Sequence, residues 1–177
     1  MTDSAPAGPT PRRLSPGTLG LAAVIVLLDQ VTKAVIRMTV PLHGSRTIIP
    51  GLFDLTHVQN SGAAFGILNA ADFPYKAAAI ALVATVALVS IAMFAAGLSP
   101  HQRLARFGLA LILGGAAGNL VDRVTTGYVV DFVDVYWREY HFWAFNVADA
   151  AITIGVIGMM LDMLGVGNGT SAPEPGP

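Results

Sequence analysis

Cysteine is missing from the 177 residues altogether, which removes disulfides, thiolate metal sites, iron–sulfur clusters and a cysteine nucleophile. Charge is scarce as well: Asp, Glu, Lys and Arg make up 12% of the chain, about half the share of an average soluble domain. A water-soluble globule does not solvate itself with so little. The ten basic and eleven acidic residues leave a formal net charge of −1. The basic ones are scattered, so there is no cationic footprint for nucleic acid, and DNA and RNA drop out as partners. No internal repeat is visible. What is abundant is apolar: 54% of residues are hydrophobic and the mean hydropathy is +0.62, which also excludes a disordered regulator. An integral membrane protein is the class that remains. At about 20 residues per crossing, the chain has room for a handful of spans in one domain.

Residues 1–16 are rich in Pro, Ala, Ser and Thr, contain Arg12-Arg13, and read as a flexible tail. The apolar run that follows continues through Asp29 and Lys33 to Ile36 without a small-residue cleavage site, so an uncleaved span over about 17–37 is expected rather than a signal peptide. The second span is the clearest, since residues 77–102 carry no charged side chain. A third is expected over about 104–121, with Gly108, Gly114, Gly115 and Gly118 giving smooth patches for another backbone. The fourth, about 142–164, contains Asp149 near one end. The expected class is an all-α polytopic membrane protein with four transmembrane helices forming one domain over 17–165, then a flexible Gly/Pro-rich tail over 166–177.

Four crossings put both termini on one side and leave two longer segments, about 38–74 and 124–143, together on the other. In the first, Thr47-Ile48-Ile49 and Leu52 to Gln59 flank Pro50-Gly51, a turn between two extended runs, so a small β-rich segment is expected. In the second, Tyr128, Phe132, Tyr136, Trp137, Tyr140, Phe142 and Trp143 predict an interfacial helix or loop in the headgroup layer. Gly62 and Gly66 permit a flap, although glycine in a loop more often serves simple turn geometry. Lys and Arg fall on both sides, Arg12, Arg13, Arg103 and Arg106 against Arg37, Arg46, Lys76 and Arg138, so charge counting does not orient the chain.

An ionised side chain inside a bilayer costs several kcal/mol unless it is paired or faces water. Four acids need such a reason: Asp29, Asp122, Asp131 and Asp149, all placed by the span assignment toward one membrane face. Asp29 and Lys33, one turn apart, form a self-neutralising structural pair. Asn119, Asp122 and Arg123 share one helical face, Asn146 and Asp149 another, and Asp131 arrives from the connection between them. Spacing alone fits a polar clamp, with Arg123 neutralising Asp122 or Asp131, as well as it fits catalysis. Two aspartates in a dry pocket hold one proton between them, and that state suits peptide hydrolysis. Rival chemistries fit less well. His43, His57, His101 and His141 form no metal-ligand motif, Ser61 stands in no nucleophile elbow, and the Gly114-Gly115/Gly118 cluster lacks a phosphate-loop pattern. Neither a metal nor any other cofactor is expected. A proton-coupled transporter or channel subunit remains an alternative, against which the second span offers no polar path. So does a non-enzymatic binding scaffold. A presenilin-type peptidase would carry Gly-x-Gly-Asp, whereas Tyr128-Val129-Val130 precedes Asp131.

The constellation resembles the lipoprotein signal peptidases, or signal peptidase II, a family of bacterial membrane aspartic peptidases. The resemblance is carried in order by Asp29-Gln30-Val31-Thr32-Lys33, Asn60-Ser61-Gly62-Ala63-Ala64-Phe65-Gly66, the run from Gly114 through Gly118-Asn119-Leu120-Val121-Asp122-Arg123, Val129-Val130-Asp131-Phe132, and Phe145-Asn146-Val147-Ala148-Asp149. It implies a catalytic pair at Asp131 and Asp149. Asn60, Gly62, Asn119, Asp122, Arg123 and Asn146 then bind substrate or shape the site, and Asp29 and Lys33 are structural. It further implies removal of the signal peptide from diacylglyceryl-modified prolipoproteins, cut on the amino side of the lipidated cysteine; for such a substrate the glycine-faced third span beside the aromatic segment offers a lateral groove, and a non-enzymatic scaffold for lipidated proteins would use the same groove without the pair. Membrane lipids surround the enzyme, no nucleic acid or metal is a partner, and no oligomer is implied. The location it implies is the bacterial inner membrane, termini cytoplasmic, site facing outward.

Overall fold

In a bilayer, backbone polar groups must find partners within the chain, and the apolar stretches accordingly coil into helices. The computed structural model describes residues 13–62, 73–99 and 101–165. Residues 1–12 of the expected 1–16 tail, the expected tail over 166–177, the Ala63–Gly66 part of the second motif and the Gly66 hinge lie outside the described residues. Helix α1 spans Pro16–Thr39; Ser15 caps it by accepting from the Thr18 amide at 3.1 Å, and Pro16 opens it where no donor is needed. Helix α2 spans Lys76–Ala96, α3 spans Arg103–Thr125 and α4 spans Val147–Met163. By length and composition, α1, α2 and α3 are long and apolar enough to cross a membrane.

The fourth helix is shorter than expected, with 17 residues. It does not begin near Phe142, because Asn146 is its N-cap. The Asn146 side chain accepts from the Asp149 amide at 2.9 Å and the Asp149 carboxylate accepts from the Asn146 amide at 3.3 Å, a reciprocal capping box. Phe145, just upstream, is committed elsewhere: its N–H donates to the Val133 carbonyl at 3.1 Å.

The segment expected as an interfacial helix or loop is instead mainly strand. Strands β1 (Ser45–Ile49), β2 (Phe53–Asn60), β3 (Val129–Trp137) and β4 (Tyr140–His141) form one antiparallel sheet in that order. The run Val-Val-Asp-Phe-Val-Asp-Val-Tyr-Trp is β-branched and aromatic and pairs with β2, which decides against a helix. The aromatic end of the hairpin stays exposed at Trp137, Tyr140, Phe142 and Trp143. The β1–β2 turn forms at Pro50-Gly51, where Gly51 takes φ 77°, a left-handed conformation natural to glycine. In the register of β2 on β3, Val58 faces Asp131 and Asn60 faces Val129, which brings Asn60 beside the acid.

Helix α3 is the packing centre, with buried residues from Ala105 to Asp122. Its glycines admit neighbouring backbones, as their smooth patches led us to expect, and those helices fill the space where a lipid groove was expected. A Cβ on Gly108 would stand 2.7 Å from the Gly155 carbonyl of α4, one on Gly114 would stand 2.8 Å from the Ala22 carbonyl of α1, and one on Gly118 would stand 2.7 Å from Asp29 Oδ2. On Gly115 it would meet the Ala148 carbonyl. Those contacts make α1 parallel and α4 antiparallel to α3. The C-terminal halves of α1 and α3 and the start of α4 therefore gather at one end, under the sheet. Ile36 and Val40 from α1 pack there against Val130 and Phe132 of β3 and fasten the sheet to the helices.

Candidate active site

Three asparagines hold the two acids. Asp131 sits on β3, 4% exposed, and each of its oxygens accepts from a different amide: Asn146 Nδ2 donates to Oδ1 at 2.7 Å and Asn60 Nδ2 to Oδ2 at 3.0 Å. Asp149, in the first turn of α4, accepts from Asn119 Nδ2 at 2.8 Å through Oδ1, while Oδ2 closes the capping box. Asn146 therefore touches both acids, donating to one and capping the helix that carries the other. Burial pushes the Asp131 carboxyl up to about 6, and the nearby Asp149 charge pushes the same way; the Asn60 and Asn146 hydrogen bonds and the Lys33 charge oppose them.

Arg123 closes the rim. Its guanidinium donates to the Asn119 carbonyl and to the Gly62 carbonyl, both at 3.2 Å, and the Gly62 N–H donates back to Asn60 Oδ1 at 3.0 Å. The expected neutralisation of Asp122 or Asp131 by Arg123 is not what these contacts describe. The cations on Asp122 are Lys33 at 2.9 Å and Arg37 at 3.3 Å.

Asp122 belongs to a second cluster next to the first. Lys33, fully buried, places Nζ 2.7 Å from Asp29 Oδ2, 2.9 Å from Asp122 Oδ2 and 2.9 Å from Asn119 Oδ1. Asp29 Oδ1 accepts from the Ala148 amide at 3.0 Å, so the first helix is tied to the start of the fourth as well as to the third. Gln30 joins in, donating to Asp29 Oδ2, the Gly118 carbonyl and Asp122 Oδ1. Two acids and two bases make the cluster neutral as a set, which buried ions require. Sequence reasoning gave no role to Gln30 or Arg37. The available signal was the ladder Asp29, Lys33, Arg37, three charges one helical turn apart on one face.

Every site residue expected from the sequence thus falls in one of two abutting sets. Asp131, Asp149, Asn60, Gly62, Asn119, Arg123 and Asn146 form one; Asp29, Lys33 and Asp122 form the other, with Asn119 common to both. Among the described residues no group of three or more His, Asp or Glu is placed to hold a metal ion.

Residues 21–165 match the family model described as signal peptidase (SPase) II. The chain belongs to the signal peptidase II family. Among its relatives, the lipoprotein signal peptidase of Syntrophotalea carbinolica is 48% identical over 141 residues, covering 80% of this chain and 86% of that one. That of Geobacter sulfurreducens is 50% identical over 139 residues, covering 78% and 86%. A solved bacterial membrane enzyme, determined by the in meso method at 2.3 Å resolution, superposes with a TM-score of 0.76 at 31% identity, over 93% of this chain and 98% of that one. Membership in the signal peptidase II family makes this chain a peptidase, and its apolar helices together with these neighbours make it a bacterial membrane protein.

Proposed function

We propose that this signal peptidase II is an aspartic endopeptidase working with Asp131 and Asp149, and that it removes the signal peptide from prolipoproteins whose cysteine carries a diacylglyceryl group, cutting on the amino side of that cysteine. The observation that carries this reading is the Asn146 amide, which joins two acids from different elements into one unit. Burial of Asp131 and the neighbouring Asp149 charge disfavour ionising both acids, so on this reading the pair holds one proton between them. The ionised one takes a proton from a water, whose oxygen attacks the scissile carbonyl carbon, while the protonated one gives its proton to the carbonyl oxygen. The resulting diol collapses, the C–N bond breaks, and the cysteine nitrogen leaves with a proton returned through the pair. Asn60, Asn119 and Asn146 fix the carboxylates, and Arg123 positions Gly62 and the peptide beside it.

The arrangement in the bilayer is part of the proposal. All four helices cross, residues 17–165 act as one domain, both termini are cytoplasmic, and the sheet with the two acids faces the outer side of the inner membrane. Trp137, Tyr140, Phe142 and Trp143 suit the headgroup layer, where the lipid of the substrate arrives. Purified protein should release the signal peptide from a diacylglyceryl-modified prolipoprotein and spare its unlipidated twin. Asp131→Asn and Asp149→Asn should each stop release while the thermal transition persists. Release by either folded variant would remove that acid from the chemistry. Equal cutting of both substrates would remove the lipid requirement, and undiminished precursor binding by an inert wild type would leave a scaffold instead.

A further inference from the structure

Each of the three asparagines around the acids must present nitrogen to a carboxylate and oxygen away from it, and in each case a donor on the oxygen sets that orientation. For Asn60 the donor is the Gly62 N–H at 3.0 Å, and for Asn146 it is the Asp149 N–H at 2.9 Å. Both are backbone groups, held by the loop and by the capping box. Asn119 has no such backbone donor among the described contacts. Its oxygen faces Lys33 Nζ at 2.9 Å, and the Asn146 amide reaches it at 3.3 Å. An ammonium has three N–H donors and no lone pair, so only the oxygen of Asn119 can face it, and the Asn119 nitrogen is then forced toward Asp149. Lys33 Nζ donates to Asp29 Oδ2 at 2.7 Å and to Asn119 Oδ1 at 2.9 Å, and it forms an ion pair with Asp122 Oδ2 at 2.9 Å. The ammonium is held between the two acids with one of its N–H groups directed at the amide.

Resting on the aspartic reading of the site, we propose that Lys33 is a positioning residue for the reaction: it orients the Asn119 amide so that Asn119 donates to Asp149. Asp29 and Asp122 are in turn what place Lys33. The cluster usually read as a helix fastener thereby sets one of the hydrogen bonds on a reacting carboxylate. Without the ammonium the amide can turn over, its oxygen then confronts the Asp149 oxygen, and the acid loses its fixed donor.

The test is a mutant cycle, with turnover normalised to folded protein from the thermal transition. Lys33→Met alone would strand Asp29, so it is made together with Asp29→Asn, a neutral replacement of the pair that still accepts from the Ala148 amide. Expected is a loss of about ten- to a hundredfold in kcat with KM changed by less than about twofold. Asn119→Ala should give a loss of the same size, and adding it to the neutral pair should cost nothing more, because both act through one hydrogen bond. Lys33→Gln with Asp29→Asn, which restores a donor, should recover part of the rate. Unchanged kcat in the folded neutral pair, or losses that multiply when Asn119→Ala is added, would overturn the proposal. So would failure of both neutral pairs to fold while Lys33→Arg folds, since Lys33 would then be a folding residue. Asp131→Asn and Asp149→Asn run in the same assay separate the two ideas. Their retained activity sinks the aspartic reading, whereas their inactivity beside a non-coupled Lys33 sinks only this one.

Discussion

Asn146 Nδ2 stands 2.7 Å from Asp131 Oδ1, while the oxygen of the same amide caps the helix bearing Asp149. Removing the side chain therefore removes two things that can be told apart. Asn146→Ala should lower stability by about 1 kcal/mol through the lost cap and cut kcat on the order of a hundredfold. Asn146→Ser keeps a capping oxygen and loses the reach to Asp131. Its thermal midpoint should return to near wild type while its turnover stays low, and turnover that recovered along with the midpoint would confine Asn146 to capping.

Asp131 makes stability depend on pH in a definite direction. Its carboxyl is raised to about 6 in the fold, above its ordinary value, so the folded chain binds more protons than the unfolded one between about pH 4 and 6. The group therefore costs stability as pH rises through that window, by up to about 3 kcal/mol once fully ionised. Asp131→Asn has no such slope. Its thermal midpoint minus that of wild type should become more positive between pH 4 and 7, and a difference that stayed flat would mean Asp131 ionises there without penalty.

The glycine contacts of α3 give a stability prediction with a built-in control. Gly115→Ala drives a Cβ into the Ala148 carbonyl, one residue from Asp149. It should cost about 1–3 kcal/mol and lower turnover as α4 shifts. Gly20→Ala meets nothing within 4 Å on α1 and should be neutral or stabilising by up to about 1 kcal/mol. Melting of both in the same detergent checks the pair.

Arg123 joins the Asn119 carbonyl to the Gly62 carbonyl rather than neutralising an acid. Arg123→Ala should therefore act on binding, with KM rising about tenfold, some 1.4 kcal/mol, and kcat falling less. A loss confined to kcat would place its charge at the reacting carbonyl instead.

Much of the site could be read in the sequence because helical spacing is a local property. Asn119 with Arg123, Asn146 with Asp149, and Asp29 with Lys33 each lie within one turn, and their faces follow from that. The family resemblance then picked Asp131 and Asp149 from four acids. What escaped was set by distant partners. Strand β3 reads as an aromatic interfacial element until β2 is there to pair with it, and the start of α4 moved from Phe142 to Val147 because Phe145 is engaged by Val133 on that strand. Arg37 has no role legible in the sequence because its partner, Asp122, arrives from α3, 85 residues away. The glycines of α3 were recognised as points of close approach, yet only the packed helices reveal that α1 and α4 occupy them.

The 17 residues of α4 also set a depth. At about 1.5 Å per residue the helix is roughly 26 Å long, shorter than the approximately 30 Å of hydrocarbon in a typical bilayer. In the four-crossing arrangement, with its last residue at the inner boundary, Asp149 in its first turn lies several ångströms below the outer one. If the chain cuts beside a lipidated cysteine as proposed, the scissile bond would meet the acids just beneath the surface, where a cysteine tethered by acyl chains resides and a free peptide does not. On that proposal helix length would be a ruler for substrate choice, and bilayers of thicker or thinner acyl composition would slide the acids past the bond to be cut.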